Sequence, residues 1–329
     1  MSTLKQIAIN VFPHTIRHLG LFRAEVWREY VELKSKGKSV SFLRSCINYC
    51  VYGVSVSEAA FLNFEALNKK GRNCFITMRR NRKLDASLND AESNKILWDK
   101  ASFNSYFSPF IKRPYMFIDG SVDDVQLAEF QNIMGLGIAK PNDMYYGLGI
   151  SKVSSLDELK ALRDSGKSYI VEKLLSNCSE LNLFNDSSLN TFRVVTCIDK
   201  QGKVHIVTIL LRTGCKGSII DNLKGGGVCW HIDLNTGVID CTGRDGEGNS
   251  SVSHPNSGVI GPGFRIPRFE ELKSFAVALA EHLPGARYVG WDIAITPNGL
   301  EVIEGNVCPS AELIQCNGVG LYNEIKSYL

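Results

Sequence analysis

The 329 residues are 44% hydrophobic and carry a net charge of +3, enough apolar material for a sizeable core divided over two or three lobes. No apolar run is long enough to cross a bilayer and the residues after Met1 lack a signal-peptide pattern, so a cytoplasmic chain, at most resting on the inner face of the membrane, is expected. Ten scattered cysteines, with neither a CxxC pair nor Cys/His metal spacing, exclude a disulfide scaffold and a zinc module and read as reduced small hydrophobes.

Residues 1–83 hold 15 Lys/Arg against 5 Glu and no Asp, a balance of +10 that leaves −7 for the rest. Apolar spacing over 18–36 and 57–70, interrupted around Gly37 and Gly53, predicts a basic helical N-terminal region over 1–90. Such a region suits anionic company, a phospholipid surface, a nucleotide-sugar or an acidic polysaccharide precursor; the plain alternative is an inert solvated face. Nucleic acid is not expected, because basic and aromatic residues are not interleaved in any binding-module pattern. A helical stretch over 96–112 is rich in Phe and Tyr. From Tyr115 short strands dominate, over 115–119, 137–140, 169–172, 192–198 and 204–211. Helices over 122–134, 156–165 and 268–282 interrupt them. This alternation predicts α/β or α+β lobes.

Two lysines stand among these elements. Lys140 ends an apolar strand before Gly147 and Gly149, where an ammonium and closely approaching backbone amides suit polyphosphate, although a plain turn has the same appearance. Lys100 by itself reads as surface charge. The strand from Tyr169 turns polar at Glu172, Lys173 and Leu174; such an edge offers backbone groups to a purine, or is an ordinary edge strand. In the next hairpin a two-residue turn pairs Asp199 with Gly202. That register sets Arg193 opposite Thr208, on one face with Arg212 and with Val195, Cys197, Val204, Ile206 and Leu210. Arginines on an apolar face need anions, either a substrate carboxylate or phosphate, or acids elsewhere in the chain. Asp221 and Asn222, before Gly225 to Gly227, read as a substrate-side loop or an Asx turn; His254 reads as a base or as a structural histidine.

The last hairpin runs over 288–306, turning at Thr296, Pro297, Asn298 and Gly299. A three-residue loop pairs Thr296 with Leu300 and sets Asp292 opposite Glu304, with Leu300, Val302, Glu304 and Asn306 sharing a face. Facing carboxylates destabilise a sheet unless a cation or proton lies between them, and hard oxygen ligands suit magnesium. Without a metal, Glu304 caps a strand edge and Asp292 is solvated.

A strand-end lysine with Gly-x-Gly, an apolar strand ending in Glu, an arginine-bearing hairpin, then Asp…Glu-x-Asn, in this order over roughly residues 95–315, resemble the ATP-grasp superfamily. The segments 191–196, 221–227 and 290–295 further resemble its bacterial sugar-transfer-associated branch, found with cell-surface polysaccharide biosynthesis. The resemblance implies an α+β ATP-grasp fold, two α/β lobes gripping ATP behind the helical region: an N-terminal lobe over 91–175 with phosphate loop and hinge strand, and a C-terminal lobe over 176–329 with the metal site. It implies that Lys100 and Lys140 contact ATP phosphates, that Gly147 and Gly149 belong to the closing loop, and that Glu172, Lys173 and Leu174 grip adenine. Glu180, with Asn182 nearby, takes the ribose position, although 176–179 replaces the glycine-containing turn usual there. Asp292, Glu304 and Asn306 match the magnesium ligands. Arg193 and Arg212 hold the substrate carboxylate or its phosphate.

The implied activity is an ATP-dependent carboxylate–amine ligation through an acyl phosphate. It joins an amino acid or other small carboxylic acid to an amine-bearing or carboxyl-bearing sugar acceptor of a surface-polysaccharide precursor. A kinase using the same ATP site, or a non-catalytic nucleotide-binding scaffold of a glycan assembly system, are the alternatives.

Overall fold

A computed structural model describes residues 13–144, 148–215, 217–218, 223 and 226–329, with side chains from residue 24 onward. Gly147, Asp221 and Asn222 lie outside the described residues.

Strands β1 (Tyr115–Ile118), β2 (Gly137–Pro141), β3 (Ser151–Val153) and β4 (Tyr169–Lys173) form an antiparallel sheet in the order β1-β4-β2-β3. Two helices, Asp124–Met134 and Leu156–Asp164, cover it. Each starts at a reciprocal capping box, Asp123 with Gln126 and Ser155 with Glu158, which satisfies the amides that a helix start leaves unpaired. Leu127, Phe130, Met134 and Leu159 bury against Ile118, Ala139, Val153 and Val171, each contributing about 1.5–3 kcal/mol for its larger side chains.

The second sheet is larger: β5 (Thr191–Ile198), β6 (Val204–Thr213), β7 (Val228–Ile232), β8 (Gly243–Asp245), β9 (Ser250–Ser251), β10 (Tyr288–Thr296) and β11 (Gly299–Val307), ordered β11-β10-β5-β6-β7-β8-β9. Every residue of β5 and β10 is buried, so both faces of these interior strands are covered, and Arg193 and Asp292 are buried charges among mostly apolar neighbours. One face packs on the helix Phe269–His282 and on Leu97, Phe103 and Phe107. The other takes Val54, Phe61, Phe64, Ile76 and Leu84 of the N-terminal helices against Val195, Cys197 and Leu210. Asn89 fastens this junction, its amide donating to Tyr288 O at 2.9 Å and its oxygen accepting from Tyr288 N at 2.8 Å.

The helical region is more broken than its periodicity predicts. The stretch 57–70 divides into Val56–Phe61 and a 3-10 turn, Phe64–Ala66, because Asn63 takes positive φ; a further helix, Lys69–Cys74, starts at the Asn68 cap. The stretch 96–112 divides at Asp99, which ends Ala91–Trp98 and caps Lys100–Tyr106.

Both hairpin registers differ from expectation. Asp292 does pair with Glu304, but through a two-residue turn, Thr296 opposite Gly299, followed by a bulge that leaves Ile303 unpaired between Val302 and Glu304. The bulge switches faces: Leu300 and Val302 enter the core, whereas Glu304 and Asn306 do not share that face. In the other hairpin Arg193 pairs with Leu210, not Thr208, and Thr191 with Arg212. The chain turns over 199–203, with Asp199 N bonded to Lys203 O, and a second bulge leaves Val207 unpaired. Val204 and Ile206 consequently pack with the opposite core from Val195, Cys197 and Leu210.

Candidate active site

Asp292 lies beside Arg193 on the neighbouring strand. Arg193 donates Nε to Oδ1 at 2.5 Å and Nη2 to Oδ2 at 3.1 Å; Arg212 donates Nη1 to Oδ2 at 2.7 Å. The anion that these arginines need on an apolar face is thus an acid of the chain itself. Burial works to raise the Asp292 carboxyl, but the Arg193 and Arg212 guanidiniums outweigh it and hold the group below the usual carboxylate range. Gly290 makes room for this packing, since a Cβ there would lie 2.8 Å from Pro309 Cβ and 2.9 Å from Arg193 Cδ.

Glu304 is exposed, opposite Asp292 on the neighbouring strand. Desolvation by its surroundings and then repulsion from Asp292 push its carboxyl up, with Arg193 and Lys140 opposing. Asn306 donates Nδ2 to Glu304 Oε1 at 3.1 Å and to Gly290 O at 3.3 Å. Among the described residues no group of three His, Cys, Asp or Glu is gathered for a metal; the cluster is two carboxylates and one amide. Its donors fit magnesium, because they are hard oxygens and the strain of two facing carboxylates is relieved by a cation. Asp292 is already neutralised by arginine, so Glu304 is the carboxylate with charge to spare.

On the small sheet, Lys140 near the end of β2 pairs with Glu172 Oε2 at 2.6 Å. Glu172 Oε1 accepts from Arg113 Nη2 and Asn104 Nδ2, both at 2.8 Å. Arg113 also donates Nη1 to Glu301 Oε2 at 3.1 Å and to Val302 O at 2.7 Å. A buried chain of alternating charge, Lys140, Glu172, Arg113, Glu301, thereby joins the small sheet to the large one. Burial opposes ionisation of Glu172, but Arg113 and Lys140 hold it far below the usual carboxylate range. Arg113, Asn104 and Glu301 are absent from the sequence expectations. Arg113 carries no periodic signal between Lys112 and Pro114; Glu301 lies between Leu300 and Val302 in the turn-side register, and nothing local marks it as the partner of Arg113.

Lys100 occupies the first turn of the helix Lys100–Tyr106 and donates Nζ to Met144 O at 2.6 Å. Asn142 Nδ2 donates to Asp99 Oδ2 at 2.7 Å, so this helix start clamps the segment from Asn142 to Met144. Burial lowers the Lys100 ammonium, Glu304 counteracts it and Lys140 adds to it, which sets both lysines near the carboxylate pair. Gly149 takes φ +72°, and a Cβ there would approach Pro141 Cγ to 2.9 Å.

The remaining expected residues are placed differently. Lys173 N donates to Pro114 O at 2.9 Å and Leu174 N to Leu136 O at 2.8 Å, so the hinge N–H groups expected for adenine are engaged by the protein. Glu180 is exposed on the short helix Ser179–Asn182 and accepts from Ser179 Oγ at 2.9 Å; Asn182 accepts from Asn177. His254 is buried, bonded through Nε2 to Gly214 O at 3.0 Å and packed edge-on against Phe184, and burial lowers its imidazole. That is the structural histidine, not the base.

Two antiparallel sheets, the small one carrying Lys140 on β2 and the large one carrying Asp292, Glu304 and Asn306 on β10 and β11, form an ATP-grasp fold. Residues 142–328, more than half of the chain, match the sugar-transfer associated ATP-grasp family, and the chain belongs to it. Among solved structures it is similar to D-alanyl-alanine synthetase A from Vibrio cholerae, at 12% identity over 73% of this chain and 65% of that one, TM-score 0.47. It is also similar to the ATP-grasp ligase PsnB complexed with minimal precursor, at 14% identity over 74% and 64%, TM-score 0.45. A third is D-alanine–D-alanine ligase from Bacillus anthracis, at 12% identity over 76% and 74%, TM-score 0.46. The chain covers less than two thirds of the length of the first two. No curated protein matches the sequence.

Proposed function

We propose that the chain is an ATP-dependent carboxylate–amine ligase that works through an acyl phosphate. The proximity of Lys100 and Lys140 to Glu304, which pairs with Asp292 and bonds Asn306, carries this reading. Lys100 and Lys140 bind the phosphate oxygens of ATP, Lys140 by exchanging part of its contact with Glu172. Asp292, Glu304 and Asn306 hold magnesium, which when bound neutralises phosphate charge. Arg193 and Arg212 orient Asp292 and, from the same wall, bind the substrate carboxylate. Unit charges ~4 Å apart interact by about 4 kcal/mol at an effective dielectric of 20, so this many cations is proportionate to a triphosphate and a carboxylate together.

A carboxylate oxygen attacks the γ-phosphorus and the β–γ bridging oxygen departs with ADP. The amine then attacks the acyl carbon and phosphate leaves. Positioning and electrostatics do the work, with no protein nucleophile. The family's sugar-transfer association supports a sugar acceptor and a small acid or amino acid as partner. In the nucleotide pocket, Glu172, Lys173 and Leu174 line the adenine edge, with Glu180 at the ribose and Gly147 and Gly149 closing over the phosphates; the engaged Lys173 and Leu174 amides must yield for the base to bind through them.

Phosphate release measured with pools of candidate acids and amines tests the assignment. The ligase predicts acid-dependent release that hydroxylamine traps as a hydroxamate. A stable phosphorylated product formed without amine would replace it with a kinase; absence of turnover with every pool would replace it with a scaffold.

A further inference from the structure

On the helix Pro13–Ser35, Trp27 and Val31 stand one turn apart with 53% and 45% of their surfaces exposed. On the helix Phe42–Tyr52, Leu43, Ile47 and Val51 repeat every four residues at 70%, 50% and 62% exposure, opposite the buried Ser45 and Asn48. Trp27 meets Phe42, the residue before Leu43, edge-on with ring centroids 5.4 Å apart, so the first helix packs beside the start of the second. Single exposed apolar side chains are ordinary; five on adjoining helix faces mark a contact surface.

Charge identifies the partner. The acids of the first helix already have partners within the chain: Glu25 accepts from Tyr49 OH, Glu29 from the Ser57 amide and hydroxyl, and Glu32 pairs with Lys36 on the surface. At about 100° per residue, all three lie away from Trp27 and Val31, whereas the exposed Arg28 and Lys34 flank that stripe. The surrounding 83 residues carry +10, so a second copy would meet like charge. We propose that this two-helix face docks on an anionic lipid surface, with Trp27, Leu43, Ile47 and Val51 entering the headgroup boundary and Arg28 and Lys34 over the phosphates. The proposal stands independently of the ligase reading. It needs no spanning segment, and among the described residues no helix is long and apolar enough to cross a membrane.

The test is co-sedimentation of the full chain with phosphatidylcholine vesicles, with and without phosphatidylglycerol, alongside light scattering without lipid. Binding should require the anionic lipid and weaken as salt rises. The L43S/I47S and R28E/K34E variants should each lose roughly tenfold or more of their partitioning at an unchanged unfolding midpoint. Failure of the wild type to bind anionic vesicles, or binding undiminished in both variants, overturns the proposal. A dimer that L43S/I47S dissolves also overturns it, assigning the face to a second copy. If L43S/I47S proves destabilised, R28E/K34E and the salt dependence decide.

Discussion

Asp292 and Glu304 face each other with opposite electrostatic fates. Two guanidiniums hold the Asp292 carboxyl down, whereas desolvation among its neighbours and repulsion from Asp292 push Glu304 up. Substitution should therefore separate them. Glu304→Gln keeps the shape and removes a charge that nothing buried depends on, so turnover should fall to background while the thermal unfolding midpoint stays close to wild type; retained activity would sink the metal assignment. Asp292→Asn instead strands Arg193 and Arg212, and uncompensated buried charge costs about 3–5 kcal/mol. Its midpoint should drop by several degrees, and a midpoint equal to that of Glu304→Gln would show the triad to be worth little.

At the scale of single elements, Gly290 and Glu58 each serve a junction. Gly290→Ala presses a methyl against Arg193 and Pro309, displacing the guanidinium from Asp292. The expected loss of activity should be shared by Arg193→Lys, which keeps charge but not the two-pronged grip. Glu58 Oε2 accepts from the Ser55 amide at the start of Val56–Phe61 and from the Met78 amide at the start of Met78–Leu88. Burial and then repulsion from Glu312 push its carboxyl up from 4.5 to about 8. Because the folded state binds this proton more tightly than the unfolded one, stability is fullest below pH 4.5 and declines as pH rises to about 8. Glu58→Gln, still able to accept both bonds, should flatten that decline and raise the midpoint at pH 8. Unfolding curves across this range check it; an unchanged slope would assign the proton elsewhere.

Across the molecule, Arg113 is the tie between lobes, gripping Glu172 on the small sheet and Glu301 on the large one. Arg113→Met leaves Glu172 with Lys140 and Asn104, but removes the cation from buried Glu301. A cost of about 3–5 kcal/mol follows, and Arg113→Lys should recover little of it because an ammonium cannot reach both acids as a fork does. Proteolysis or hydrogen exchange confined to the small sheet would show that the tie sets the lobes' relative freedom. Equal protection in wild type and variant would contradict that role.

The arrangement of the site was readable where neighbouring residues or adjacent strands decide it. Strand period puts Arg193 on one face with Arg212 and the order of motifs carries the ATP-grasp family, whereas the three-residue loop expected after Thr296 reaches the Asp292–Glu304 pair through a turn that the fold does not use. Other features lay beyond such rules. The Asp292–Glu304 pair arises from a shorter turn plus a bulge at Ile303, and a period of two contains no sign of an extra residue. The partners of Arg113 lie 59 and 188 residues away, so a lone arginine before a proline acquires its meaning only when two sheets close around it. The same holds for the hinge: whether the Lys173 and Leu174 amides face a base or bond Pro114 and Leu136 depends on which backbone folds alongside. Local spacing and turn residues settle which side chains share a strand face, since those follow from backbone geometry over a few residues. Packing settles which charges neutralise which, since desolvation and long-range ion pairing exist only in the closed fold.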